Sequence, residues 1–210
     1  AVKAVYTGKE NLPVFYKDGL IEKNEMLRAL KDRDYGALPK MMREAAEEAM
    51  ETLMHSGDGQ LCDVIIDRAC MDAMLAAGQS AKDSVIRDYA ESTIAVTNIK
   101  IAVRAAKTGK SIEFMKRAMA PCREINIEKL MTAALGGMDA VIEYLEHHGY
   151  GEAALSLRDS LSAFERWCDN RLIASLRPER THSESVGPIL AFYLARMNEI
   201  KTARIILTGK

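Results

Sequence analysis

Long apolar runs are missing from this sequence. None approaches the roughly 18 consecutive apolar residues that a helix needs to cross a bilayer. Charge of one sign is missing too. Among 210 residues, 29 basic and 30 acidic side chains leave a formal net charge of −1, so the electrostatic footprint of a general nucleic-acid binder is absent. Glycine and proline number only 13 and 5, and aromatics make up 6%. That leaves little turn-forming composition and no low-complexity tract. Cysteine is sparse: Cys62, Cys70, Cys122 and Cys168 stand far apart with no CxxC pair. Disulfide scaffolds are denser in shorter chains, and zinc sites need ligand pairs at short spacing. Four separate reduced thiols in a cytosolic protein are therefore expected, with no metal and no cofactor. The first ten residues lack a charged-then-apolar signal layout. With Ala1 in place of an initiator Met, the chain reads as a fragment of a longer protein.

What is present favours helix. Hydrophobic residues make up 48% and charged residues 28%, ordinary for a packed protein. Ala, Met, Leu, Glu and Lys, which lose least on entering a helix, are abundant. Pro39 opens a helix over 40–53. Leu61, Ile65, Ala69 and Ala73 recur four apart over 61–77, with Gly78 read as the stop. Ser80 is read as the cap of a long helix to about Lys107, including the β-branched stretch 93–103, which could pass for a strand. Further helices are expected after Ser111, Asn126 and Gly137, then over 150–176, and from Pro188 to Leu207. Short linkers are expected near 7–13, 32–36, 55–60 and 178–187. No segment reads clearly as a strand, so the fold class is all-α.

The tripeptide Thr-Gly-Lys occurs three times, at Gly8, Gly109 and Gly209, with the glycines 101 and 100 residues apart. A basic residue stands five before each glycine: Lys3, Arg104 and Arg204. Any one copy is an ordinary helix end, with glycine in the left-handed cap and a cation near the dipole's negative end. The near-equal spacing adds an internal repeat of about one hundred residues. It divides the chain into a remnant, 1–9, a second unit, 10–110, and a third, 111–210.

Sites for chemistry fail on context. Gly109-Lys110-Ser111 resembles the end of a phosphate loop, but Arg104 stands where that loop needs glycine and the preceding segment reads as helix. His147 and His148 are adjacent and point apart, whereas a zinc helix sets two His four apart. His55 and His182 lie in polar loops with no nucleophile nearby. The twelve methionines are scattered like core filler. The acidic run Glu44, Glu47, Glu48 and Glu51 reads as a solvated helix face.

One segment carries an identity. Residues 187–210, GPILAFYLARMNEIKTARIILTGK, closely resemble the end of the C subunit of archaeal and bacterial V-type (A-type) ATPases, a family related to the d subunit of vacuolar ATPases. Pro188, Tyr193, Glu199, Ile200, Arg204, Ile205, Ile206, Gly209 and Lys210 fit its pattern. Ile66-Asp67-Arg68 resembles the family's Leu-Asp-Arg helix. Tyr89 through Asn98-Ile99-Lys100 to Arg104-Ala105 resembles its Asn-Ile-(Lys/Arg)-x-x-x-Arg block, with Ala95 where an Asp is usual.

The resemblance implies three similar helical units around a pseudo-threefold axis, forming a funnel, with much of the first unit absent here. It also implies a non-catalytic central-stalk role in a rotary ATPase. Such a protein couples rotor-shaft subunits of D and F type to the membrane proteolipid ring, on the cytoplasmic face and without inserting into the membrane. Asp67, Arg68, Asn98, Arg104, Pro188, Glu199, Arg204 and Gly209 are the implied family positions, structural or interfacial. Two rival readings remain: a generic all-helical adaptor, and a helical enzyme whose His site is assembled by the fold.

Overall fold

The computed structural model describes residues 1–9, 15, 19–182 and 184–208. Within them the chain forms eleven α-helices and no strand. In order these are α1 (Val2–Thr7), α2 (Lys23–Lys31), α3 (Lys40–Ser56), α4 (Gly59–Ser80), α5 (Ser84–Thr108) and α6 (Ile112–Ala118). After them come α7 (Ile127–Leu135), α8 (Met138–His147), α9 (Gly151–Asp159), α10 (Leu161–Ser175) and α11 (Gly187–Thr208). Short 3-10 turns at Tyr35–Ala37 and Pro178–Thr181 precede α3 and α11. The β-branched stretch inside α5 is helical throughout, because its side chains sit on a buried face that packing, not local propensity, decides.

The chain divides into two compact units, Ala1–Ala73 and Met74–Lys210. The first is built around Leu30, Leu38, Ala49, Met50, Leu53 and Cys62, with Val2 of α1 packed into it. In the second, α5 is central. Ala95, Ile99 and Ala102 are fully buried against Met115, Leu130, Val141, Leu145, Phe164 and Cys168. All four cysteines are free. Burial pushes the Cys168 thiol up to about 12, so it serves as apolar packing.

Start signals behave as read for α6, α7 and α11. Ser111 Oγ accepts from Phe114 N–H at 3.2 Å, and Asn126 Oδ1 accepts from Lys129 N–H at 3.0 Å. Pro188 is the second residue of α11, where its missing N–H costs nothing. Three readings are corrected. Helix α4 does not stop at Gly78 but runs to Ser80. A Cβ on Gly78 would stand 2.7 Å from the Ala90 Cβ, so this glycine marks a close approach of α4 to α5 and not a cap. Asp83, not Ser80, caps α5, accepting from Val85 N–H at 2.9 Å. The helix expected over 150–176 is two, broken where Ser160 turns extended (φ −168°) and caps α10 through Ala163 N–H at 3.0 Å. Helix α2, nine residues between polar segments, has no counterpart in the sequence reading.

Gly8 and Gly109 are built alike. Both are left-handed (φ +66° and +63°), and each N–H reaches the carbonyl four residues back. The following Lys9 and Lys110 N–H groups bond the same carbonyls, of Ala4 and Ala105, at 3.0 and 3.1 Å. Thr7, Thr108 and Thr208 each return their hydroxyl to the carbonyl of Lys3, Arg104 and Arg204 at 2.7 to 2.8 Å. Gly209 and Lys210, the third cap, lie outside the described residues.

Candidate interaction surface

Two polar constructions in the unit Met74–Lys210 take in Asn98 and Arg104 from the expected positions. The first is on α5. Asn98 is fully buried, and its amide pairs with both backbone groups of one residue, Ala120. Nδ2 donates to the Ala120 carbonyl at 2.8 Å, and Oδ1 accepts from Ala120 N–H at 3.1 Å. Two turns earlier, Glu91 is 3% exposed and accepts from Arg123, backbone N–H at 2.8 Å and Nε at 3.0 Å. Ala95 lies between them fully buried, so the buried carboxylate on this face of α5 is Glu91, one turn away. Tyr150, the residue before α9, donates its hydroxyl to Glu124 at 2.9 Å. Burial first, then the Glu124 charge, push that phenol well above its ordinary value. Residues 120–124 are thus tied at two points to α5 and at a third to Tyr150. The arrangement has the character of a fixed shape, with every buried polar side-chain atom among the described residues satisfied.

The second construction joins α5, α10 and α11. Glu165 and Asp169, one turn apart on α10, face opposite neighbours. Lys100 and Arg104 of α5 reach Glu165 at 3.1 and 3.4 Å, while Lys201 of α11 reaches Asp169. These pairs are partly exposed, so each contributes little stability; they orient the helices. Asp83 adds a link at the other end. One carboxylate oxygen caps α5, and the other accepts from Val186 N–H, the residue before α11, at 2.9 Å. Those backbone bonds hold its carboxyl below the ordinary carboxylate value.

Helix α11 itself is bare. Only Gly187 is buried along its 22 residues. Ile189, Phe192, Ile206 and Leu207 are 69 to 86% exposed. An open groove of about 480 Å³ separates it from α10, lined by Leu172, Ile173, Leu194, Met197, Ile205 and Arg204 among others. A helix that is apolar on several faces belongs inside an assembly.

The remaining motif positions scatter. On α4, Arg68 Nε bonds both oxygens of Asp72 at 3.0 and 2.9 Å, not Asp67. Asp67 faces solvent, with its carboxyl raised by desolvation and then by the nearby Asp63 charge. Glu199 pairs with Arg196 on the exposed face of α11, and Arg204 lines the groove. Gly209 is outside the described residues. Sequence reasoning missed Glu91 and Arg123, which bond each other 32 residues apart, and Asp83, whose second oxygen reaches Val186 N–H 103 residues on; neither contact leaves a local spacing signal.

The residues considered for catalysis have structural occupations. Gly109 is a helix cap, Lys110 stands 5.0 Å over the Phe114 ring, and Ser111 caps α6. His148 stacks on Tyr144 at 4.1 Å. His55 and His182 are exposed, bonded to the Glu51 carbonyl and the Glu179 carboxylate. Among the described residues no cluster of His, Cys, Asp or Glu could hold a metal ion. None of their helices is long and apolar enough to cross a membrane.

Comparison with known proteins follows the same direction. The family model described as ATP synthase (C/AC39) subunit matches residues 1–210. The chain is 23% identical over 212 residues to the C subunit of the V-type sodium ATPase of Enterococcus hirae, an alignment that takes in 99% of this chain and 65% of that protein. It is 27% identical over 199 residues to the C subunit of the A-type ATP synthase of Halorubrum lacusprofundi, covering 88% of this chain and 53% of that one. With the corresponding protein of Methanocaldococcus jannaschii it shares 23% over 143 residues, 63% and 35% of the two chains. The chain thus spans about a third to two thirds of the length of these relatives. No solved structure matches.

Proposed function

Because the chain belongs to the ATP synthase (C/AC39) subunit family, we propose that it is part of a central-stalk subunit of a rotary V-type or A-type ATPase. In this reading it joins rotor-shaft subunits of D and F type to the membrane proteolipid ring, on the cytoplasmic face, and has no catalytic site of its own. The observation that carries the proposal is the family match along the whole chain. The physical construction supports it. A coupling element transmits torque, so it needs packed helices and shape-fixed contact segments in preference to a solvent-closed cleft with titrating groups. The anchored residues 120–124 and the Lys100–Glu165 and Lys201–Asp169 pairs supply stiffness of that kind. The near-equal spacing of the three Thr-Gly-Lys segments, with matched caps at Gly8 and Gly109, is what supports a body of similar units about a pseudo-threefold axis.

Gel filtration of the chain with purified D- and F-type shaft subunits tests the role, beside an ATP-binding titration. Co-elution that survives moderate salt is expected, since an interface of standard size rests on apolar burial more than on screened charge. No co-elution with the shaft, or saturable ATP binding abolished by Lys110→Ala, would overturn the assignment.

A further inference from the structure

We propose that a second copy of this chain covers the bare stripe of α11, the two helices packing antiparallel about a two-fold axis that passes between residues 197 and 198. The stripe has a heptad order. Ile189, Arg196 and Ala203 occupy successive a positions, with Phe192, Glu199 and Ile206 at d and Tyr193, Ile200 and Leu207 at e. All nine are exposed. The opposite side of the helix, with Leu194, Met197, Lys201 and Ile205, lines the groove against α10. Ile200 borders that groove and Phe192 a second one beside Ile173 and Leu176; the other seven stripe residues line neither groove and are left uncovered by their own chain.

Its order is self-complementary. In an antiparallel pair each a layer meets a d layer of the partner. About the 197–198 midpoint, Ile189 meets the second copy's Ile206. Phe192 meets Ala203, a large side chain against a small one. Arg196 meets Glu199, and two-fold symmetry forms that opposite-charge layer twice. Within one chain Arg196 and Glu199 already pair as i,i+3 neighbours, so exchange between copies leaves no charge unpartnered. Along one edge Tyr193 of each copy lies nearest Ile200 of the other, two residues from direct register, with Leu207 beyond them. No other register of this stripe against itself places opposite charges at the centre and large against small on both sides. Over 22 residues, about 33 Å of helix, the contact is small for a protein interface. A dissociation constant of about 10 μM is expected. The proposal does not depend on the rotary assignment. In that setting the dimer is the unassembled form, which shields the stripe until assembly.

Sedimentation equilibrium of the 210-residue chain from about 2 to 200 μM tests it, with thermal unfolding as a check that each variant folds. The wild type should pass from monomer to dimer across this range. Glu199→Arg sets four cations at the centre and Arg196→Glu four carboxylates, so each alone should dimerise at least ~10-fold more weakly. Mixed in equal amounts, the two variants should form a heterodimer, and R196E/E199R in one chain should restore self-association. The mixing result cannot come from misfolding. A wild type that stays monomeric at about 200 μM would overturn the proposal, as would variants that dimerise like wild type or a mixture that gains nothing. Those results would leave the stripe to a different protein or to further chain of the same subunit.

Discussion

At the scale of residues, the second unit is specified by a few buried polar groups that answer particular backbone atoms. Asn98 satisfies both the backbone N–H and the C=O of Ala120 from inside the core. Asn98→Ala would leave an N–H and a C=O unpaired in a dry site. The expected loss is about 2–4 kcal/mol in urea unfolding, with the helix content of the folded state unchanged. Asp83 gives a pH signature. Its native carboxyl titrates below the ordinary value because it accepts from Val186 and Val85. Its stabilisation is therefore complete above the unfolded value of about 3.9 and is lost as pH falls through the native one. Thermal unfolding followed from pH 7 to 2.5 should show Asp83→Asn with a flatter acid limb than wild type. Equal acid limbs would mean that the Val186 contact contributes nothing.

Among the elements, the sequence was most legible where helix ends carry their own chemistry. Ser111, Asn126, Pro39 and the glycines at 8 and 109 announced boundaries because capping is a local interaction. It was least legible where a local signal had a distant cause. Gly78 resembles a stop, yet it is glycine because Ala90 of the next helix lies against it. Ser160 breaks α9 from α10 inside a stretch whose helical composition runs on unbroken. The two fully described caps give a paired test. Alanine at Gly8 or at Gly109 is forced into a left-handed backbone with no neighbour in its way, so each should cost roughly 1 kcal/mol. Gly78→Ala has ordinary backbone but a blocked Cβ, and a loss of about 1–3 kcal/mol is expected. Chemical denaturation of the three variants checks both numbers. A cost at Gly109 several times that at Gly8 would mean that the two caps differ in more than sequence position.

For the whole molecule, the family was readable from α11 and α5, but the reason for their residues was not. Asn98 and Glu91 act inside the chain, Arg104 and Lys201 tie helices together, and Ile189, Ile206 and Leu207 of α11 are 73 to 86% exposed. The proposed coupling role accounts for this division, with internal polar bonds for rigidity and uncovered apolar faces for partners. The most direct measurement asks whether the chain bridges. Purified proteolipid rings in nanodiscs are immobilised, and D- and F-type shaft subunits are passed over them with and without the 210-residue chain. The account predicts that shaft is retained only when the chain is present, and in proportion to the chain retained. Shaft retention that is the same without the chain, or a chain that binds neither ring nor shaft, would contradict it.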